Sequence, residues 1–484
     1  MDPLARLFSS NSPPHPTEVA LIRDRIDADM AAIQELQVRV RRYKALTSPL
    51  RGVPLEILGE IFMLVVASVK QEFPVTKQVV RLCLVSRTWR NAALATPSLW
   101  GRVGIIWSSG VDSTTFSFKK VESWLSRSRE IPRALTVDSV CAHRRDSPCK
   151  MINPSLALLL SNGPSLQQLS LSCDLKCFQQ LSTWIMESSQ TVQTRPWDSL
   201  GSMDLKLSGA SHAVQPSFAD EILAYVPTVT SLSLSGFSLR DEMTDIGTSP
   251  HAQNFLSNLT TLSIPFMYPT VWEEDFLSHC SQRLQELTLD FDYFNEEPSS
   301  FNFNKTISFP CLHVLRIREY DMDCEEGFLR LFSTPVLIEL DLGFASYDPE
   351  HVRYDGDGLG DGLAAFLTRS NCKATLARLR LAHINLTGDS LHHILLKFPQ
   401  VTHLTMDYVD VDSTEFFAGP HDPKAKLLPN IVDFCWLHAF EDTDFKKICH
   451  YFYTHKFQGA GRLRRLVIEL PERVEEYSEA AEAK

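Results

Sequence analysis

The sequence lacks any long run of uncharged apolar residues. A membrane-spanning helix needs roughly 18 such residues, and the most apolar segment, residues 61–69, is far shorter. Residues 1–16 are rich in proline and serine, and they contain no hydrophobic stretch of the kind found in secretion signals. We therefore expect neither a membrane partner nor export.

The sequence also lacks an excess of positive charge and a set of paired cysteines. Its formal net charge is -12 at pH 7, which argues against broad binding to the phosphate backbone of nucleic acids. The 11 cysteines are odd in number and scattered singly, as is typical of reduced thiols in the cytoplasm or nucleus. At 484 residues, the chain is too long for one compact core and predicts several units or one elongated unit.

The sequence also lacks the common motifs of catalytic, nucleotide-binding and metal-binding sites. The sequence contains no Gly-x-Ser-x-Gly motif, phosphate-binding loop or dinucleotide fingerprint. Residues 355–362 are rich in aspartate and glycine, like a calcium loop, but Leu359 and Phe366 occupy positions that require oxygen ligands. Cys173 and Cys177 lack the second ligand pair of a zinc site. We therefore expect no enzyme activity, no cofactor and no metal site.

The first periodic segment contains no glycine or proline between residues 18 and 44, and its apolar residues recur at alternating steps of three and four. This seam consists of Val19, Ile22, Ile26, Asp29, Ile33, Leu36, Val40 and Tyr43, all apolar or aromatic except Asp29. The period predicts an amphipathic helix with coiled-coil character over residues 18–46, after a disordered segment at 1–17. Two alternatives remain open: the seam packs against the next domain, or it mediates self-association at a cost from Asp29.

An ordered set of residues follows within residues 47–101. It reads Pro54-x-Glu56-Ile57-Leu58-x-x-Ile61-Phe62, then Leu84-Val85-Ser86-x-x-Trp89-Arg90-x-x-Ala93, then Pro97-x-Leu99-Trp100. Proline suits the first turn of a helix, and the spacing predicts a second helix over residues 79–95 after a break at 73–77. In content and order this segment closely resembles the F-box motif. It departs from the motif in having Val53 for the usual leucine and a somewhat long connection at residues 69–78.

The resemblance implies a three-helix module that binds the small Skp-type adaptor of cullin-RING ubiquitin ligases. In such helix-in-groove interfaces a few buried apolar side chains dominate the affinity. The implied adaptor-binding residues are Pro54, Ile57, Leu58, Ile61, Leu84, Val85 and Trp89. Some of these side chains must instead form the core of the module, and the sequence does not divide the two groups. The order of helix, Ser-Pro hinge and motif is similar to that of the expanded F-box families of basidiomycete fungi.

One short pattern, apolar-x-x-apolar-x-apolar, recurs from residue 166 to residue 468. The central apolar residues of its copies are Leu169, Met203, Leu232, Leu262, Leu287, Leu315, Leu340, Leu379, Leu404, Phe434 and Leu466, with a truncated first copy at Leu135 and Val137. Successive copies are 25 to 39 residues apart, most of them in or near the 20–29-residue range of leucine-rich repeats. The alternation within each copy predicts a strand, and helix-like segments lie between copies at residues 218–225, 273–280, 325–332, 359–368 and 389–398.

These features predict an α/β fold in which residues 102–470 form an irregular leucine-rich-repeat solenoid, with parallel strands on the concave side and helices on the convex side. The asparagine that usually follows each strand is absent, so no asparagine ladder is expected. A general α/β protein with leucine-rich strands is the alternative. Residues 471–484 are acidic and predicted to be disordered.

The exposed strand positions decide what such an array binds. The candidate target-binding residues are Gln168, Ser170, Thr261, Ser263, Glu286, Thr288, Arg316, Asp341, Arg380 and Thr405, and an inert solvated face is the alternative. We expect a substrate-recruiting F-box subunit of an SCF-type cullin-RING ubiquitin ligase, with an unknown protein target. The alternatives are an F-box scaffold that binds adaptor without cullin, and an enzyme hidden in the repeats, for which no acid, base and nucleophile are recognisable.

Overall fold

The computed structural model describes residues 5–8, 13–68, 75–107, 117–139, 149, 151–188, 195–208, 223, 225–236, 250–266, 271–291, 306–320, 328–344, 359–411, 428–439, 444–452 and 463–469. The chain divides into two compact units, Met1–Trp100 and Gly101–Lys484. Of the two segments predicted to be disordered, residues 471–484 lie outside the described part of the chain. The other, residues 1–17, includes a short 3-10 turn at Ala5–Phe8.

The first unit contains one long helix, α1, over Pro16–Leu46. It begins after His15, whose backbone N–H donates a hydrogen bond to Oε2 of Glu18 at 2.8 Å. Pro16 is the first residue of α1. Proline suits this position because a backbone N–H in the first turn would have no acceptor within the helix, so its absence costs nothing. No residue of α1 is buried. The alternative in which the seam packs against the next domain is therefore not what the structure shows.

Three shorter helices complete the first unit: α2 (Leu55–Ala67), α3 (Val75–Val85) and α4 (Arg87–Ala95). Short 3-10 turns precede them at Pro49–Gly52 and follow them at Pro97–Trp100. Both α2 and α3 pack against α4. The buried side chains of these elements include Leu58, Phe62, Val79, Leu82, Ala92, Ala93, Leu99 and Trp100.

The segment predicted as one helix over residues 79–95 consists of two helices. Ser86 interrupts it with an extended backbone at φ −160° and ψ 169°. Its Oγ accepts a hydrogen bond from the backbone N–H of Trp89 at 3.2 Å. A serine that satisfies a free N–H in this way favours the start of a new helix. In addition, α3 begins at Val75, inside the predicted break at residues 73–77.

The second unit is built on a long parallel sheet. Its thirteen described strands neighbour one another in chain order: β1 (Arg102–Trp107), β2 (Ala134–Ser139), β3 (Gln168–Asp174), β4 (Ser202–Ser208), β5 (Ser231–Ser235), β6 (Thr261–Phe266), β7 (Glu286–Phe291), β9 (Val314–Tyr320), β11 (Glu339–Phe344), β12 (Arg378–Leu386), β13 (His403–Val411), β14 (Asp433–Leu437) and β15 (Arg465–Ile468). Two further strands, β8 (Ile307–Ser308) and β10 (Phe332–Ser333), form a separate parallel pair.

The strands of the long sheet are in register at the central apolar position of each repeat copy. Thus Leu169 pairs with Met203, Leu287 pairs with Leu315, and Leu404 pairs with Phe434. The central residues of the main-sheet strands from β2 to β14 are buried. Each full copy predicted from the sequence coincides with one strand. The long parallel sheet is therefore compatible with a repeat solenoid.

Helices connect many of the strands: α5 (Lys119–Leu125), α6 (Pro154–Asn162), α7 (Leu175–Glu187), α8 (Pro250–Ser257), α9 (Val271–Cys280), α10 (Leu359–Ser370), α11 (Gly388–Leu396) and α12 (Phe445–Phe452). Polar side chains fix where some of them begin. Asn153 Oδ1 accepts from the N–H of Ser155 at 2.9 Å, and Asp174 Oδ1 accepts from the N–H of Lys176 at 2.9 Å. Asp174 is also the last residue of β3, so the strand passes directly into α7.

The predicted helix-like segments have different outcomes. Residues 273–280 lie in α9, residues 359–368 lie in α10, and residues 389–396 lie in α11. Of segment 325–332, residues 328–332 are described: Phe328–Leu331 form a 3-10 turn, and Phe332 pairs with Ile307 of β8. Most of segment 218–225 lies outside the described residues.

Candidate partner-binding surfaces

The first candidate surface is an apolar stripe on α2. Ile57, Ile61 and Leu64 are 52%, 39% and 71% exposed. They are spaced by four and three residues, so they lie on one side of the helix. Leu58 and Phe62, on the other side, are 1% and 0% exposed. The core of these helices is therefore filled without the stripe, which leaves the stripe available to a partner.

The structure divides the implied adaptor-binding residues into two groups. Pro54, Ile57, Ile61, Leu84 and Val85 are exposed, whereas Leu58 is buried and Trp89 is half-buried. The Trp89 ring packs against the Phe62 ring, with 5.0 Å between the centroids. Leu58 therefore belongs to the core, and Trp89 supports it. Further exposed apolar residues that the sequence interpretation missed are Leu55, Leu64, Val80 and Leu94.

Close packing supports the exposed stripe from behind. A Cβ atom added at Gly59 would lie 2.3 Å from Oγ1 of Thr96. That hydroxyl donates to the carbonyl of Ala92 at 2.8 Å. The indole Nε1 of Trp100 donates to the carbonyl of Ala93 at 2.7 Å. These contacts hold α2, α4 and the closing turn together, which keeps the apolar stripe on a rigid support.

The second candidate surface is the polar face of the long sheet. One row on this face runs through the residue that follows each central apolar residue. It contains Ser170, Asp204, Ser233, Ser263, Thr288, Arg316, Asp341, Arg380, Thr405 and Cys435, all of which pair in register with their neighbours. A second row, one residue before each central residue, contains Gln168, Thr261 and Glu286. Because side chains alternate along a strand, both rows face away from the buried leucines.

The rows are rich in hydroxyl groups along β3–β7. Ser170, Thr261, Ser263 and Thr288 are half-buried, and Gln168 is exposed. Ser170 Oγ donates to Oδ2 of Asp204 at 2.9 Å. Small hydroxyl side chains cover little of the strands, so this part of the face leaves the sheet accessible to a partner.

Along β7–β14 the same face carries charges that are paired between neighbouring strands. Arg316 lies between Glu286 at 3.6 Å and Glu339 at 2.8 Å. Arg380 lies between Asp341 at 2.8 Å and Asp407 at 2.7 Å. Asp341 is only 7% exposed. The charged half of the predicted row is therefore largely engaged in contacts within the sheet.

The Asp407 carboxylate also accepts a hydrogen bond at 2.8 Å from Nδ1 of His438. Burial by itself favours the neutral carboxyl group, but the hydrogen bonds from His438 and Arg380 outweigh it, so the pKa of Asp407 lies below its ordinary value. Burial opposes the charge of Arg380, but Asp341 and Asp407 raise the pKa of Arg380 above its ordinary value. Both shifts favour the charged forms of Asp407 and Arg380, and the contacts of this cluster join β11, β12 and β13 to the residue that follows β14.

A stack of rings lies beside this cluster and has no counterpart in the sequence interpretation. His383, Tyr408 and His438 each have positive φ, at 57°, 51° and 50°. Each stands four residues after the central apolar residue of its strand. Glu319 and Gly236 take the equivalent position in β9 and after β5, with φ of 53° and 81°. A left-handed turn therefore recurs at the same place in five copies, although only one of them uses glycine.

Two further observations concern metal-binding groups and thiols in the described residues. No cluster of three or more histidine, cysteine or acidic residues there could hold a metal ion. Burial raises the pKa of the Cys280 thiol to about 12 and that of the Cys372 thiol to about 11, which keeps both protonated. Cys173 and Cys177 are buried. No helix in the described part of the chain combines the length and apolar character needed to cross a membrane.

No protein-family model matches the sequence, and no curated protein matches it either. Among solved structures, the chain is similar to one in the crystal structure of the Rad7 and Elc1 complex from yeast, with 13% identity, a TM-score of 0.32 and coverage of 86% of this chain and 96% of that chain. It is also similar to a protein from Bacteroides fragilis, with 13% identity, a TM-score of 0.25 and coverage of 52% of this chain and 62% of that chain.

Proposed function

We propose that this chain is the substrate-recruiting subunit of an SCF-type cullin-RING ubiquitin ligase. It binds a Skp-type adaptor through the F-box module within residues 47–101 and a protein target through a leucine-rich-repeat solenoid formed by the second unit. The chain itself performs no bond chemistry, and it acts in the cytoplasm or nucleus. Binding both partners raises the effective concentration of the target near the ubiquitin carrier.

The observation that carries this proposal is the apolar stripe on α2. The motif of residues 54–100 resembles the F-box, and its most exposed members are the ones that a partner would need. Ile57 and Leu84 are 52% and 70% exposed, although their helices already have a complete core. Large apolar side chains that leave water on binding supply most of the affinity in interfaces of this kind.

The target side of the proposal rests on the difference between the two halves of the polar face. Arg316, Asp341 and Arg380 already form ion pairs within the sheet, and a target would have to displace these contacts. The uncharged side chains of Thr261, Ser263 and Thr288 take no part in these ion pairs, so a target that binds them does not have to separate paired charges. We therefore assign target binding mainly to Gln168, Ser170, Thr261, Ser263 and Thr288. Thr405 and Glu286, which also pairs with Arg316 at 3.6 Å, are in supporting positions.

The test is affinity purification of the tagged full-length chain from its own cells, followed by mass spectrometry. The informative variant is Ile57→Asp with Leu84→Asp. The matched control is Leu158→Asp with Leu396→Asp, because these leucines of the second unit are also exposed, at 54% and 40%. We expect adaptor and cullin with the wild type and the control, and neither with the variant.

The three outcomes separate the competing functions. Adaptor with cullin supports the ligase subunit, and the remaining co-purifying chains are then target candidates. Adaptor without cullin supports the alternative, a scaffold that acts outside a ligase. Absence of adaptor from well-folded wild-type bait, or its retention by the Ile57 and Leu84 variant, overturns the F-box assignment.

A further inference from the structure

The long helix α1 leaves its apolar seam open to solvent. Ile26, Ile33, Leu36, Val40 and Tyr43 are 54%, 48%, 53%, 49% and 62% exposed. A helix that lies on a globular core buries its apolar stripe, whereas no residue of α1 is buried. The seam therefore has the exposure of an interface whose partner is another chain.

The period and length of the seam fit a second helix better than a flat surface. Val19, Ile26, Ile33 and Val40 recur every seven residues, which is the repeat of a coiled coil. The 31 residues of α1 correspond to a length of about 46 Å at 1.5 Å per residue. Seam positions extend over more than three heptads, which is long enough for stable pairing of two helices.

The charges of α1 are distributed unevenly along its length. Residues 16–30 contain four acidic and two basic side chains, whereas residues 31–46 contain one acidic and four basic side chains. The same distribution complements the dipole of the helix itself. It also makes the two ends of α1 electrostatically complementary to each other.

From the open seam and this complementarity, we propose that α1 pairs with α1 of a second copy of this chain in antiparallel orientation. This arrangement places the acidic half of one helix beside the basic half of the other. A parallel arrangement would set like charge against like charge. The proposal goes beyond adaptor binding and does not depend on it.

The single polar residue of the seam supports the same orientation. In a parallel pair in register, identical positions face each other, so the two Asp29 carboxylates would meet inside the seam. Two like charges taken out of water in this way oppose association. In an antiparallel pair, Asp29 faces a different position, nearer to the basic half of the partner helix. Asp29 thus acts against the parallel form more than against the antiparallel form.

Such a dimer would carry two apolar stripes on α2 and two polar sheet faces. A target with two binding segments, or a pair of targets already associated with each other, would then bind with avidity. The chain would recruit such targets more strongly than a monomer with the same surfaces.

The first test measures the molar mass of the full-length chain by light scattering after gel filtration, without adaptor, over a range of micromolar concentrations. We expect twice the chain mass of 54.8 kDa. The variant Ile33→Glu with Leu36→Glu should elute as a monomer. The matched control, Ala31→Glu with Gln34→Glu, adds the same charge to the same half on the opposite side of the helix and should remain a dimer.

The second test determines the orientation. A photoreactive p-benzoylphenylalanine replaces Arg23, which flanks the seam, in a mixture of unlabelled and 15N-labelled full-length chains. Antiparallel pairing gives mixed-isotope cross-links to residues 39–46 of the second copy, and parallel pairing gives cross-links to residues 16–30. Monomeric wild type, a dimeric seam variant or cross-links between the two N-terminal halves would each overturn the proposal.

Discussion

The ring of His438 stacks on the ring of Tyr408, with 4.2 Å between the centroids and 7° between the planes. His383, on the other neighbouring strand, stacks on Tyr408 with 4.9 Å between the centroids. The stack joins β12 and β13 to the residue after β14, and the ion pairs of Arg380 join β11, β12 and β13. Both features connect neighbouring repeats just after their central residues. Such contacts matter because each repeat of an array touches only its neighbours.

The first prediction concerns the carboxylate of Asp407, which is hydrogen-bonded to His438 of this stack. Asp407→Asn removes the charge that faces both Arg380 at 2.7 Å and His438 at 2.8 Å. Hydrogen bonds to charged groups contribute about 1.5–3 kcal/mol when buried. Because Arg380 is 35% exposed, we expect a loss of about 1–2 kcal/mol in the free energy of unfolding.

Urea unfolding measured by circular dichroism checks this value. The control is Asp138→Asn, which changes a half-buried aspartate of β2 that lies outside the cluster. An equal loss from both variants would show that the network contributes nothing specific to the stability of the sheet.

The second prediction concerns pH. Burial lowers the pKa of His383, although Asp407 opposes this effect. The unfolded chain therefore binds a proton at this residue at a higher pH than the folded chain does, and stability decreases as the pH falls below about 6.5. We expect His383→Phe, which keeps an aromatic ring in the stack, to reduce the loss of stability between pH 7.5 and pH 5.5.

The measurement is the urea midpoint at both pH values. The control is His393→Phe, because His393 lies on α11 with its side chain 51% exposed. A pH dependence that is the same in wild type and His383→Phe would rule out His383 as its source.

How far the sequence predicts the sheet is clear from individual strands. The pattern apolar-x-x-apolar-x-apolar located the strands from β3 to β15 that lie in the long sheet, because a buried strand face must alternate. It missed β1, although Trp100, Val103 and Ile105 have the same spacing. Trp100 also belongs to the F-box-like motif, and this overlap hides the copy that begins with it.

Other features depend on contacts that the sequence does not specify. The ion pairs of Arg380 require the register between β11, β12 and β13, which follows from pairing across the sheet. The left-handed backbone at Tyr408 and His438 is unusual for residues other than glycine. The residue types at these positions therefore do not predict this conformation. The division of the F-box-like stripe into core and surface depends on which side of α2 faces α4, and the sequence alone does not determine this.

The third prediction tests the recurring left-handed turn at the one position where glycine occupies it. Gly236 has φ of 81°, and a Cβ atom there would lie 2.5 Å from the carbonyl oxygen of Leu207. Gly236→Ala therefore combines an unfavourable backbone conformation with overlap against backbone, and we expect it to cost about 2–3 kcal/mol.

The matched control for this substitution is Gly104→Ala on β1, where no atom lies within 4 Å of the added Cβ. We expect the control to be neutral or slightly stabilising, because alanine restricts the unfolded chain more than glycine does. Thermal unfolding of both variants makes the comparison. A Gly236→Ala protein as stable as the control would mean that the turn adjusts without strain.

The last prediction separates the two roles that neighbouring residues of α2 have. Leu58 is 1% exposed and Ile57 is 52% exposed, although both belong to the F-box-like motif. Leu58→Ala leaves a cavity in the core and should lower the free energy of unfolding of the first unit by about 2–4 kcal/mol. Ile57→Ala should change it by less than about 0.5 kcal/mol, but it should weaken adaptor binding at least tenfold, which corresponds to about 1.4 kcal/mol.

Urea unfolding and titration with purified adaptor measure the two effects separately. If Ile57→Ala lost stability while binding stayed intact, the exposed stripe would be part of the core and not a partner-binding surface.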